Sequence, residues 1–327
     1  MTSTERAQPH DHTALFDAAA GGDRRSVARL LSMVERGGES ARAVGAMAHD
    51  RSGGAYTVGI TGAPGAGKST LTSALLAVVR NRGVAVSVLA IDPSSPFTGG
   101  AILGDRVRMQ DHALDDGVFI RSMATRGHLG GLALATPQAV RVLDAVGFPW
   151  VLVETVGVGQ VEVEIVGAAD TTVVVVNPGW GDAVQANKAG LMEIADVFVI
   201  NKADRPGAGD TRRDLESMLD LTEAPDGWRP PVLEAVATEA TGVAEVWDAV
   251  GEHRAHLEAT GELHRRRGRR AREELTRIVA ERLLLRARKT SEGDRFETLL
   301  TDVEHRGRDP WSAADELLGP DPGTDDA

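Results

Sequence analysis

Short apolar runs recur along the middle of the chain without polar alternation: residues 56–61 (YTVGIT), 84–91 (VAVSVLAI), 150–153 (WVLV), 170–176 (DTTVVVV) and 196–200 (DVFVI). A strand with one wet face alternates apolar and polar residues. Runs that do not alternate are buried on both faces, as in a parallel sheet covered by helices. Helical patterns separate the runs, at 69–82, 136–146 and 184–195. Strands alternating with helices predict an α/β fold, with a doubly wound, mostly parallel sheet over 51–255. A proline-bracketed loop at 225–231 precedes a last short strand at 232–236.

Helical pieces flank this domain. Leu15, Ala18 and Ala19, then Val27, Leu30, Leu31 and Val34, recur at helical spacing. Gly21-Gly22-Asp23 divides them into two helices, with Asp23 placed to cap the second. This predicts a helical N-terminal extension over 1–50. From Gly251 to Arg288 the chain is again helical, and a helical arm is predicted over 256–305. Its apolar stripe of Leu275, Ile278, Val279, Leu283 and Leu285 suits a dimer contact. The remainder, 306–327, is acidic, contains proline and is predicted disordered.

The first strand runs into Gly62-Ala63-Pro64-Gly65-Ala66-Gly67-Lys68-Ser69, which fits G-x-x-x-x-G-K-[ST] and opens a helix at Lys68. Such glycines let backbone N–H groups turn inward around a β-phosphate. Lys68 then reaches the β/γ oxygens, and the Ser69 hydroxyl is a Mg²⁺ ligand. The nucleotide-binding set continues to Thr70. This loop specifies a nucleoside triphosphate but no base. Asn201-Lys202-Ala203-Asp204, directly after a strand, supplies the base reading. The Asp204 carboxylate can accept from both the ring N–H and the exocyclic amine of guanine. Adenine has neither group there and would leave a carboxylate unpaired. Asn201 is expected at the other edge of the base, and the Lys202 stem over its face. Val236-Ala237-Thr238 is the candidate loop on the far side of the base.

Two carboxylates end strands: Asp92, and Glu154 in Glu154-Thr155-Val156-Gly157, a D-x-x-G with glutamate for aspartate. Strand ends of this kind face the ligand in open parallel sheets. Asp92 and Glu154 can hold Mg²⁺, and the Gly157 N–H can sense a γ-phosphate. The glycine-rich stretch 97–106 between them reads as a switch, with Asp105 the acid that can swing in. The water-orienting glutamine expected after the switch glycine is Val158 here, and the nearest glutamine is Gln160. Unaided hydrolysis is therefore expected to be slow, with a partner or second subunit completing the site.

Composition narrows the classes. The net charge of −12 opposes nucleic acid and anionic membrane as partners. No apolar run approaches the ~18 residues of a membrane span. The first residues lack the apolar core of a signal peptide, so a cytoplasmic address is expected. Cysteine is absent, which excludes disulfides, thiolate metal sites and a cysteine nucleophile. The basic run 264–272 holds six arginines. It reads as the start of a helix that pairs with acids across a dimer or on a partner, rather than as a nucleic-acid patch. His128, in the glycine-rich string 125–132, is the one histidine singled out for a switch or partner contact.

Together GAPGAGKST (62–70), DPSSPFTGGAILGDRVRM (92–109), TRGHLGGL (125–132), ETVGVGQ (154–160), NPGWGDAVQANKAGLMEIAD (177–196) and NKAD (201–204) closely resemble the MeaB/ArgK family of P-loop GTPases. The resemblance runs over about 15–290. It implies a homodimer with a helical N-terminal extension and a C-terminal dimerisation arm. It implies GTP-gated delivery of adenosylcobalamin to a CoA-dependent mutase, and protection of that cofactor. Lys68, Ser69, Asp92, Asp105 and Glu154 fall where the family handles phosphates and Mg²⁺. Residues 177–188 fall on a third switch, whose lysine, here Lys188, moves toward the nucleotide when the partner binds. The resemblance is all that points to Lys188. A rival reading, an ATP-driven kinase or transport accessory of the ArgK type, is opposed by NKAD. A ribosome-linked GTPase is opposed by the net charge.

Overall fold

The computed structural model describes residues 12–92, 112, 114–124, 131–155, 169–179, 193–221 and 227–319. Helices α1 (His12–Ala20), α2 (Arg24–Arg36) and α3 (Gly38–Arg51) form the N-terminal layer. Asp23 caps α2, accepting from the backbone N–H groups of Arg25 and Ser26. The expected second helix is split in two, because Gly37 and Gly38 stand at φ of 72° and 77°.

The central elements are β1 (Tyr56–Gly62), α4 (Lys68–Asn81), β2 (Val86–Asp92), β3 (Val118–Ala124), α5 (Gly131–Ala145), β4 (Trp150–Thr155), β5 (Thr171–Val176), β6 (Val197–Asn201), α6 (Ala208–Leu219), β7 (Val232–Ala235) and α7 (Val243–Thr260). The seven strands form one sheet in the order β3-β2-β4-β1-β5-β6-β7. Every pairing is parallel. All residues of β1, β5 and β6 are buried, as unalternating runs require.

The pleat divides the core between two faces. On one side Leu89, Ile91, Val151 and Val153 pack with α1–α3 and α5. On the other, Val88, Leu152, Val58 and Ile60 pack under α4 and α7. Helix α6 covers Val174, Val176, Phe198 and Ile200. Strand β3 is not anticipated by the sequence pattern, because Arg121 and Ser122 interrupt its apolar run. The structure answers Arg121 from α2: its guanidinium donates to Glu35 at 2.5 Å and to Ser32 at 3.0 Å. A strand that looks too polar to be buried is thus completed by the N-terminal layer.

Contacts divide the chain into two compact units, 1–270 and 271–327. The division falls inside α8 (Glu262–Thr290). Gly261, at φ 71°, separates α7 from α8 where one continuous helical stretch is expected. In the second unit α9 (Asp294–Glu304) is followed by α10 (Pro310–Leu318). Helix α10 corrects the expectation of disorder from 306. Asp309 caps it through the N–H groups of Trp311 and Ser312, Pro310 opens it, and Arg308 pairs with Glu316. Residues 320–327 and most of the helix expected at 184–195 lie outside the described residues. No helix among the described residues is long and apolar enough to cross a membrane.

Candidate nucleotide site

Parallel pairing puts the C-terminal ends of all seven strands on one edge, where the end of β4 meets the loops after β1, β6 and β7. Gly62 ends β1 at φ 138°, and a Cβ there would stand 1.9 Å from the Val175 carbonyl oxygen. Glycine is therefore obligatory at this turn. The loop returns through Gly65 and Gly67, at φ 73° and 93°, into the N-terminus of α4. That helix terminus offers N–H groups and the positive end of the helix dipole to an anion. Lys68 is buried, and its ammonium donates to the carbonyls of Gly62 at 2.6 Å and Ala63 at 3.2 Å. Pro64 and Gly65 are exposed at the loop tip, and Thr70 is half-buried in the first turn of α4.

The Ser69 hydroxyl donates to Glu154 Oε1 at 2.5 Å. Glu154 is buried at the end of β4, in register with Ile60 of β1 and Ala90 of β2. The structure thus unites two candidate ligands that lie far apart in sequence. Both are hard oxygen donors beside a phosphate loop, a donor set that fits Mg²⁺. Asp92 ends β2, adjacent to β4, with its backbone paired to Ala124; its side chain is outside the described set.

Asn201 ends β6 beside the phosphate loop. It is 2% exposed. Its amide nitrogen donates to the Ala66 carbonyl at 2.8 Å, and its oxygen accepts from the Ala237 N–H at 3.1 Å. Both ends of the amide hold protein backbone, so Asn201 fastens the phosphate loop to the β7 loop. Lys202, at φ 60°, donates to the Gly65 carbonyl at 2.6 Å and so lies along the same loop. Ala203 N–H bonds the Ala235 carbonyl at 3.1 Å. Asp204 is exposed in the following turn, available to a base. Val236 bridges to Thr241, Ala237 opens a short 3₁₀ turn, and Thr238 is exposed there. Asp105, His128, Gly157, Val158, Gln160 and Lys188 lie outside the described residues.

The opposite edge of the sheet holds a polar cluster that sequence reasoning missed. Asp170 and Asp196 immediately precede β5 and β6. Asp170 accepts from the Thr57 N–H at 3.0 Å, and Asp196 from the Thr172 N–H at 2.8 Å. Arg267 grips Asp170 with Nε at 3.1 Å and Nη2 at 2.7 Å, Arg270 also pairs with Asp170, and Arg266 reaches Asp196 at 2.9 Å. Burial pushes the Asp170 carboxyl up, but Arg267 and Arg270 more than offset this and hold it below the usual aspartate range. His253, fully buried, lies 2.8 Å from the Thr171 hydroxyl and 3.2 Å from Asp196. Thr171 also meets the Tyr56 hydroxyl at 2.7 Å, and burial raises the Tyr56 pKa. Arg265 and Arg269 pair with Glu262 at 2.6 and 2.7 Å. Five of the six arginines of the run, 265, 266, 267, 269 and 270, therefore meet acids of their own chain. The available signal was an aspartate placed just before each of two buried strands.

The family model described as Methylmalonyl Co-A mutase-associated GTPase MeaB matches residues 27–292. A putative GTPase of Pyrococcus abyssi is 53% identical over 307 residues, covering 93% of this chain and 95% of that one. GTPase ArgK of Escherichia coli is 37% identical, covering 85% of this chain and 87% of its own. A crystal structure of a LAO/AO transport system kinase is similar at TM-score 0.72 and 27% identity, covering 95% of this chain and 97% of that one.

Proposed function

The chain belongs to the MeaB family of GTPases, and from that premise we propose that it is a Mg²⁺-dependent GTP hydrolase that gates the loading and protection of adenosylcobalamin in an acyl-CoA mutase of the methylmalonyl-CoA mutase type. The family's name supports the mutase as partner. The observation that carries the hydrolase chemistry is the junction of Lys68, Ser69 and Glu154 at the head of α4.

Lys68 releases the Gly62 and Ala63 carbonyls and turns its charge to the β/γ oxygens of GTP. Loop N–H groups orient the phosphates. Ser69 and Glu154 would hold Mg²⁺, which would supply positive charge against that developing on the phosphates. Water attacks the γ-phosphate, giving GDP and phosphate. Asp105 and Gly157 serve as switch groups, and Lys188 completes the site when the partner docks. Asp92 assists at the metal. The protein acts in the cytoplasm as a homodimer joined through its C-terminal arm.

The base assignment is tested by Asp204→Asn, which is expected to move preference from GTP toward XTP; an unchanged preference would sink it. The partner is tested by native mass measurement with cobalamin-dependent mutase subunits, with GDP and with a GTP analogue. A complex whose stability depends on the nucleotide is expected, and no complex in either state removes the chaperone role. The kinase description of the solved relative predicts instead preference for ATP and phosphoryl transfer to an acceptor other than water.

A further inference from the structure

Ser69 and Glu154 meet at 2.5 Å although they hang on different strands. Ser69 follows β1 through the phosphate loop, and Glu154 is the next-to-last residue of β4. Their geometry therefore depends on how the end of β4 is held against the end of β1. The backbone register between these strands runs from Tyr56 opposite Trp150 to Ile60 opposite Glu154. The next residue on each strand is a threonine: Thr61, directly before Gly62, and Thr155, the last residue of β4.

Both threonines are fully buried. Pleat alternation fixes their face. Val58, Ile60 and Leu152 pack under α4, and Glu154 meets Ser69 on that same side. Thr61 and Thr155 fall on the other face, where Leu89, Ile91 and Val153 form an apolar core. Ile91 of β2 is in register with Thr155. A valine has the same branched shape, so packing alone does not call for a hydroxyl at either position. Buried hydroxyls cost stability unless they are paired, and these two are paired with each other. The Thr155 hydroxyl donates to Thr61 Oγ1 at 3.1 Å, with the Ile60 carbonyl oxygen 3.5 Å away. A side-chain bond thus carries the β1–β4 pairing one residue past its last backbone register, where the phosphate loop leaves the sheet. Apolar packing has no preferred direction, whereas a hydrogen bond does.

We propose that Thr61 and Thr155 are positioning residues for Glu154. Their hydroxyl bond fixes the end of β4 against β1, so that the carboxylate and the Ser69 hydroxyl stand together as one donor set for a divalent cation. The proposal rests on the Mg²⁺ site of the hydrolase reading and not on the identity of the mutase. Groups that orient metal ligands from behind typically matter by ~10–100-fold in metal affinity.

The test is Mn²⁺ titration, followed by electron paramagnetic resonance, of the full-length protein bound to GDP. Thr155→Val is expected to weaken Mn²⁺ binding by about tenfold, while GDP affinity measured in EDTA stays at the wild-type value. Thr155→Ser keeps the hydroxyl and is expected to restore most of the Mn²⁺ affinity. The double variant Thr61→Val/Thr155→Val leaves no hydroxyl unpaired, so it should melt close to wild type and still bind Mn²⁺ weakly. Wild-type Mn²⁺ affinity in Thr155→Val or in the double variant overturns the proposal, and so does a serine variant as weak as the valine one. Where Thr155→Val does not fold, the double variant decides. A wild-type GDP complex that takes up no Mn²⁺ overturns the metal reading itself and this proposal with it; loss of the variant effect alone leaves the hydrolase reading intact.

Discussion

At the residue scale, the site depends on a few atoms that tolerate no substitute. Gly62 combines φ 138° with a carbonyl oxygen 1.9 Å from the position of a Cβ. Gly62→Ala is expected to cost at least about 3 kcal/mol, from backbone strain and overpacking together. Chemical denaturation measures that loss, and GTP binding should fall with it. Asn201 makes a contrasting case. Asn201→Ala strips the Ala66 carbonyl and the Ala237 N–H of their shared partner, at about 1–3 kcal/mol for each buried group left unpaired. GTP affinity, followed by titration calorimetry, should drop by about tenfold or more. The GTP-to-XTP ratio should stay unchanged, because the groups that tell guanine from xanthine face Asp204 and the amide of Asn201 holds the loops. That separates it from Asp204, whose variant should change the ratio.

At the element scale, each end of the sheet has its own chemistry. The nucleotide edge uses glycine, backbone, two lysines and the Ser69–Glu154 pair; the opposite edge uses aspartates and arginines. Asp170 carries the pH dependence of that lower edge. Its folded pKa lies below the usual 3.8, so its contribution is complete above that value and is lost as pH falls from there toward the folded pKa. Thermal stability should therefore decline as pH drops below about 4. Asp170→Asn should remove that part of the acid slope while costing about 3–5 kcal/mol at neutral pH, since two arginines lose their carboxylate. Calorimetric melting across pH 2–7 checks both effects (a range set by the ordinary carboxylate pKa). The fold itself was legible where strands are buried on both faces, as in β1, β5 and β6. It was not legible in β3, because a strand carrying Arg121 reads as surface until Glu35 of α2 is brought beside it.

At the scale of the whole molecule, the two compact units differ in how they handle apolar surface. The first buries its apolar residues on both faces of the sheet. In the second, Leu275, Val279, Leu283 and Leu285 are 64, 48, 55 and 45% exposed along one helix. Apolar residues repeating at this spacing form a stripe suited to a matching helix. The proposed homodimer would cover it. Leu283→Glu should shift the protein from dimer to monomer in analytical ultracentrifugation while the phosphate loop continues to bind GTP. A dimer that persists would place the contact elsewhere.

The sequence by itself determined the phosphate loop, the NKAD turn, the carboxylates at strand ends and the parallel sheet. Each of these follows from local covalent chemistry or short-range periodicity: glycines that permit positive φ, a lysine at a helix start, runs without polar alternation. Only the tertiary structure decided that Asn201 fastens two loops, that Ser69 meets Glu154, and that arginines 266, 267 and 270 close on Asp170 and Asp196. These pairings join residues far apart in the chain. An exposed and a buried arginine look the same in one dimension. What distinguishes them is the buried carboxylate that folding places beside one and not the other.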